Sequence, residues 1–176
     1  MAAPVPPSTG LPVVIIVPVC GLIPRLADNL RSLLHQDHPC RHLLLVTEDM
    51  SDAALPVIAR LAEDDHRVRH VIAGRASRCC QKNHNLLAGV TALGDFHGVL
   101  VFCDAGHFAP PHWLGRLVAP LFAESPPSVV SGYHRVLVDN QERSLVVVGR
   151  ALIVTALGLL QRIPAASQPW GGATAM

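Results

Sequence analysis

Lysine is nearly absent from this 176-residue chain: of fourteen basic residues, only Lys82 is not arginine. Thirteen acidic residues leave a formal net charge of +1, and charged residues make up 15% of the chain. With no basic excess there is no electrostatic footprint for nucleic acid as a partner. Aromatics are only 4%, so the 50% hydrophobic content is mostly aliphatic, and too high for a disordered chain. An even cysteine set is missing too. The five cysteines, Cys20, Cys40, Cys79, Cys80 and Cys103, include an adjacent pair and one inside an apolar run. That argues against a disulfide framework and for a reducing, cytoplasmic location.

Long apolar runs are also lacking. Val13 to Val17 follows a Pro/Ala/Ser-rich start with no basic region, and is too short for a signal peptide or a span. Leu145 to Leu160 is interrupted by Arg150 and falls short of the ~20 apolar residues a spanning helix needs. It reads as a buried core helix, with an interfacial helix in contact with a membrane as the alternative. No transmembrane span is expected.

Several chemistries lack their motifs. The turn Pro18-Val19-Cys20-Gly21 holds one glycine, where a dinucleotide fingerprint needs three. There is no Gly-x-x-x-x-Gly-Lys phosphate loop and no Gly-x-Ser-x-Gly elbow. His35, His38, Cys40 and His42 fit no zinc spacing and read as a surface turn.

What is present is alternation. Short apolar runs at Val13–Val17, Leu43–Val46, Val68–Ala73 and Gly98–Cys103 read as buried strands. Helical stripes separate them: Leu26, Leu30, Leu33 and Leu34 after Pro24, then Leu55, Ile58 and Leu61 behind a cap at Ser51 or Asp52. Gln81–Leu93 is a third helix, and Pro110-Pro111 open a fourth carrying Trp113, Leu114, Leu117, Val118 and Leu121. Four successive βα units predict one α/β domain over 13–176 with a mainly parallel sheet flanked by helices, preceded by a flexible segment 1–12. Val129–Tyr133 and Val136–Val138 read as further strands around an Asp139-Asn140 turn. Trp170 to Met176 reads as a loop leading into a further element, as though the chain were a fragment.

The polar residues gather at strand ends. Glu48 and Asp49 follow the second strand, Arg75, Arg78 and Lys82 the third, and Asp104 the fourth. In an open α/β sheet these ends converge where ligands bind. Carboxylates there can hold a ribose hydroxyl, a base N–H or a divalent metal, and the cations can neutralise a diphosphate. Ordinary surface salt bridges account for each residue singly; their shared location favours a nucleotide site.

In order and separation these segments resemble inverting glycosyltransferases of the GT-A type, nearest to ceramide glucosyltransferases and their bacterial relatives. The likeness runs from about Val13 to Met176. Val13–Gly21 resembles that family's opening strand and Pro-x-x-Gly turn, and Asn29–Pro39 its helix and Gln-Asp-Tyr-Pro-like turn. Thr47–Asp52 resembles the segment with the first aspartate, and Gln81–Leu86 the Pro-Lys-x-Asn-Asn-Leu stretch. Cys103-Asp104-Ala105-Gly106 resembles the Cys-Asp-Ser-Gly form of the Asp-x-Asp motif, and Trp170–Met176 the Gly-Gly-Ser-Met segment.

The resemblance implies a GT-A-like fold that binds a nucleotide-sugar donor, UDP-glucose or a near relative. It implies a role for Asp49 at the base or ribose, and for Lys82 and Asn85 in the donor pocket. Asp104 would serve the ribose and a diphosphate bridged by Mg2+ or Mn2+. The reaction implied is direct displacement at the anomeric carbon by a hydroxyl acceptor, a lipid, deprotonated by a carboxylate base. Two departures stand out. Gly106 replaces the second aspartate, leaving one metal ligand fewer, with His107 beside it. The family's base and its Gln-x-x-Arg-Trp motif lie beyond the Gly-Gly-Ser-Met segment, so the C-terminal part is expected to be incomplete and the catalytic residue is unassigned. Two other readings compete. One is a non-catalytic nucleotide-sugar-binding module. The other is a nucleotidyltransferase, against which stands the absence of a Gly-rich, basic loop after the first strand.

Overall fold

The computed structural model describes residues 11–38, 42–132, 144–160, 163 and 172–176. Six strands form one sheet in the order β3-β2-β1-β4-β6-β5. β1 (Val13–Pro18), β2 (His42–Thr47), β3 (Val68–Ile72) and β4 (Val99–Cys103) are parallel neighbours. Between them run α1 (Leu26–Leu34), α2 (Leu55–Asp64) and α3 (Gln81–Thr91). After β4 come α4 (Trp113–Val118), a 3-10 turn over Ala119–Phe122, β5 (Val130–Ser131), α5 (Leu145–Leu160) and β6 (Ala173–Ala175). This is the mainly parallel α/β architecture that the alternation of apolar runs predicts.

The two-residue period of β1 and β2 sorts the core into two layers. Val13, Ile15, Val17, Leu43 and Leu45 face Leu30, Leu33, Ile58, Leu61 and Leu114 of α1, α2 and α4. Val14, Ile16, Leu44 and Val46 face the opposite side, where Leu86 and Val90 of α3 cover them. Strands buried on both faces read as continuous apolar runs, which is why these two were legible. Burying each such side chain contributes roughly 1.5–3 kcal/mol. α3 also approaches the sheet closely: a Cβ at Gly89 would lie 2.7 Å from Ile16 Cγ2 and 3.2 Å from Val46 Cγ2.

Five expectations need correction. Ala173–Ala175, read as loop, is a strand lying between β4 and β5 and antiparallel to both. Ala-Thr-Ala has little intrinsic strand preference; the free edge of β4 supplies the ladder, and small side chains suit a fully buried position. Leu145–Leu160 is a helix but not a core one. Val154 alone is buried, while Leu145, Val146, Leu152 and Ile153 stand exposed. Its apolar run is not matched by a sheet face to cover it. The second helix is not capped by Ser51 or Asp52; it starts at Leu55 with Ala54 at the cap position, and Asp52 is turned to another task described below. The histidine-rich turn is not wholly surface, because His38 is buried. Strand β5 is shorter than Val129–Tyr133. Tyr133, Val136–Val138, Asp139, Asn140 and Trp170 lie outside the described residues.

Candidate functional site

The parallel strands end together. Pro18 of β1 is level with Val46, and Thr47 with Ile72. The loops that follow β2, β3 and β4 carry polar groups, and side-chain hydrogen bonds tie the loops of this edge together.

Asp104 follows β4 directly. Its backbone N–H donates to Gly172 O at 3.3 Å, so the strand read as a loop fixes this residue's main chain. Its carbonyl accepts from His107 N–H at 3.0 Å, closing a turn through Ala105 and Gly106. Asn29 Nδ2 of α1 donates to Ala105 O at 3.2 Å and ties that turn to the helix. The Asp104 carboxylate is half exposed, and Lys82 Nζ lies 2.5 Å from its Oδ1. Behind it, burial pushes the Cys103 thiol well above its ordinary range, so Cys103 is an inert packing residue.

Lys82 sits in the first turn of α3, whose start is organised by Gln81. The Gln81 amide accepts from Ala76 N–H and donates to Gly74 O, both at 2.8 Å. It also donates to Asn85 Oδ1 at 2.7 Å. Asn85 is buried, and its Nδ2 donates to Val46 O at 3.3 Å. Asn85 therefore faces into the fold and braces α3 against β2, while Lys82 faces the edge.

Asp49 lies beyond β2 and is exposed. Its Oδ1 accepts from Ser51 N–H at 2.7 Å and Ser51 Oγ–H at 2.6 Å. These bonds hold its carboxyl below the usual range, so it is anionic and acceptor-only near neutral pH. Oδ2 has no partner among the described residues. Strands β2 and β4 flank β1, so their ends lie roughly 10 Å apart at ordinary strand spacing.

Asp52, read from sequence as a cap, reaches back to β1. Its carboxylate oxygens accept from Gly21 N–H at 3.0 and 3.1 Å, and Oδ1 also accepts from Ala54 N–H at 2.8 Å. Gly21 has φ +67°, a conformation that favours glycine. The aspartate thus pins the first strand's turn to the second's. Sequence reasoning took Ser51 only as a helix cap and Gln81 only as the start of a family-like stretch, and missed His70, whose one signal was its place near a strand end.

Among the described residues no three His, Cys, Asp or Glu side chains converge to hold a metal ion. At the end of β4 the edge offers a half-exposed carboxylate, Asp104, roughly two strand spacings from that of Asp49. That suits a divalent cation taking most of its ligands from phosphate and water.

Residues 2–142 match the glycosyl transferase family 21 domain. The chain belongs to that family. The family 21 match covers the strand ends bearing Asp49, Lys82, Asn85 and Asp104, and stops short of β6. A mannosyltransferase from Pyrobaculum calidifontis, solved in complex with GDP-Man and Mn2+, matches 94% of this chain with a TM-score of 0.65 at 20% identity. Glucosyl-3-phosphoglycerate synthase from Mycobacterium tuberculosis, solved with phosphoglyceric acid, matches 94% of the chain with a TM-score of 0.61 at 18% identity. The same synthase with Mn2+, UDP and phosphoglyceric acid gives 0.60 at 18% identity, again over 94% of the chain. The family 21 chain spans 44%, 56% and 55% of those three, about half their length. At these identities the likeness shows a shared fold, that of GT-A nucleotide-sugar transferases.

Proposed function

We propose that this chain carries the donor site of a glycosyltransferase that binds a UDP-sugar, UDP-glucose, for inverting transfer to a hydroxyl acceptor, a lipid. The observation that carries the reading is the Lys82–Asp104 pair at the sheet's carboxyl edge, in a family 21 chain. One cation and one carboxylate there match a diphosphate and the metal that bridges it. Asp104 serves the ribose and the cation, Lys82 the diphosphate, and Asp49 the base. Asn85 keeps α3 seated so that Lys82 stays at the edge. A bound Mg2+ or Mn2+ offsets the charge of the departing nucleoside diphosphate. The mycobacterial synthase is known with UDP-glucose as well as UDP, which supports a UDP-sugar, while the Pyrobaculum enzyme's GDP-Man makes GDP-mannose the donor to test against it. The exposed apolar residues of α5 support a lipid acceptor, since an uncovered apolar helix surface belongs against protein or lipid. No helix among the described residues is long and apolar enough to cross a membrane. The reading takes 13–176 as one domain working in the cytoplasm at a membrane face.

Asp49, Lys82, Asn85 and Asp104 are all assigned to the donor here, so donor binding without turnover stands as a second reading. Calorimetric titration with UDP-glucose and with GDP-mannose, each with and without Mn2+, tests the donor site. The expected result is UDP-glucose binding that Mn2+ strengthens and Asp104→Ala weakens. No heat from either donor overturns the site, and preference for GDP-mannose overturns the base assignment. Release of glucose, or its transfer to a lipid alcohol, separates the enzyme from the binding module.

A further inference from the structure

Behind the Asp49 loop stands a half-buried histidine that no motif singled out. His70 lies in β3, and its Nε2 is 2.8 Å from Thr47 Oγ1 at the end of β2. Thr47 is fully buried, and its Oγ1 is 3.2 Å from the carbonyl oxygen of Asp49.

The backbone of this loop is held unevenly. Ala73 N–H donates to Thr47 O at 2.9 Å, and Gly74 N–H to Glu48 O at 2.8 Å. That zip stops one residue short of Asp49. Among the described residues, the Thr47 hydroxyl is the one group that bonds the Asp49 main chain. A threonine hydroxyl has a single proton to give. It can reach the Asp49 carbonyl only if His70 Nε2 is itself a donor toward Oγ1. A ring protonated on Nδ1 alone would draw the Thr47 proton to itself and release the loop.

Resting on the donor-site reading above, we propose that His70 is a positioning residue for nucleobase recognition. Its Nε2–H holds the Thr47 hydroxyl so that the hydroxyl proton fixes Asp49, whose free Oδ2 then meets an N–H on the base edge, such as the imide of uracil. His70 itself touches no ligand. Burial lowers its proton affinity, against a smaller opposing pull from Asp52, so the neutral ring with one proton is the working form. Ser51 fixes the Asp49 carboxylate and His70, through Thr47, fixes its backbone. Two independent clamps on one exposed aspartate are more than a loop needs merely to turn.

The test compares a ligand with a base against one without. UDP and inorganic pyrophosphate, each with Mn2+, are titrated into the parent chain, His70→Leu, His70→Gln and Thr47→Val. His70→Leu and Thr47→Val are each expected to weaken UDP about tenfold, the equivalent of one hydrogen bond. Pyrophosphate affinity is expected to stay unchanged, which a general loss of structure would not allow. His70→Gln, which can donate from its amide, is expected to recover UDP binding, and the Leu/Val double variant to be no weaker than either single one. Nitrogen NMR of the parent should find the His70 proton on Nε2. Undiminished UDP binding in His70→Leu, equal loss of both ligands, or a ring protonated on Nδ1 alone overturns the proposal and leaves the donor site standing. A parent that binds neither ligand overturns the donor site, and His70's role with it.

Discussion

Lys82 Nζ and Asp104 Oδ1 stand 2.5 Å apart, joining the first turn of α3 to the end of β4. The chain's single lysine is thus spent on the first carboxylate after β4. Both side chains are about half exposed, 46% and 47%. Pairs of that exposure contribute ~0–1 kcal/mol to stability, so a diphosphate can open this one at little cost. Lys82→Met is expected to keep its melting temperature within ~2–4 °C of the parent. It should still lose UDP-glucose affinity by an order of magnitude or more. Calorimetry and thermal unfolding on the same sample check both. A large melting shift with intact affinity would mark the pair as a structural brace.

The turn after Asp104 has room for the carboxylate that the Asp-x-Asp pattern places there. A Cβ built at Gly106 meets only Ile23 Cδ1, at 3.9 Å, an ordinary contact. Gly106→Asp is therefore expected to fold like the parent and to bind Mn2+ more tightly, by about tenfold, as a second oxygen ligand joins Asp104. Manganese paramagnetic resonance, without nucleotide, reads the change. If Mn2+ binds no better, the turn directs position 106 away from the Asp104 carboxylate.

Asp52 makes its contribution through the backbone of another loop. Asp52→Ala leaves Gly21 N–H without its acceptor and also removes the bond to Ala54 N–H. The expected loss is about 1–3 kcal/mol, the usual cost of stranding a partly buried donor of a charged bond. Denaturant unfolding measures it. Asp52→Asn, which keeps one acceptor oxygen, should recover about half.

The parallel half of this molecule was legible because β1 and β2 are buried on both faces, which writes continuous apolar runs into Val13–Val17 and Leu43–Val46. Asp104 was legible because it directly follows such a run and shares its sheet edge with Asp49 and Lys82; alone, a cap, turn or salt bridge would account for it. Ala173–Ala175 was not, since three small residues acquire strand character only from the edge of β4 they fill. The site's clamps were equally hidden. Gln81, Ser51 and His70 act by hydrogen bonds to neighbouring loops, and their residue types carry no periodicity. Asp52 shows the ambiguity best: Asp three residues before a helix looks like a cap, yet its carboxylate also spans 31 positions to Gly21.

α5 offers the lipid reading its own trial. Sixteen residues at 1.5 Å each make a helix of about 24 Å, shorter than the ~30 Å hydrocarbon core, so it suits lying against a bilayer better than crossing one. The chain is expected to float with phosphatidylcholine vesicles, and Leu152→Glu with Ile153→Glu to stay in the dense fraction. UDP-glucose binding should survive that double change, because α5 contributes nothing to the described donor edge. Equal flotation of parent and variant would remove α5 from the membrane account.

Acid stability should turn on Asp65, in the turn between α2 and β3. Its Oδ1 accepts from Arg67 N–H at 3.0 Å and Arg67 Nε at 2.8 Å, while Oδ2 pairs with Arg67 Nη2. The hydrogen-bonded Arg67 side chain holds the Asp65 carboxyl far below the usual range, with burial opposing. Arg67 O in turn accepts from Leu43 N–H at 3.1 Å, so the pair fixes the start of the β2–β3 ladder. Because the folded pKa lies below the unfolded value of ~3.9, the contribution is complete above that pH and drains away as pH falls through it toward the folded value. Asp65→Asn is expected to cost about 1 kcal/mol at pH 7, given side chains roughly a fifth to a quarter exposed. The difference between parent and variant should narrow below pH ~4 and approach zero as Asp65 protonates. Urea unfolding across that range measures it. A gap that stays constant with pH would assign the loss to the turn's backbone geometry instead of to the ion pair.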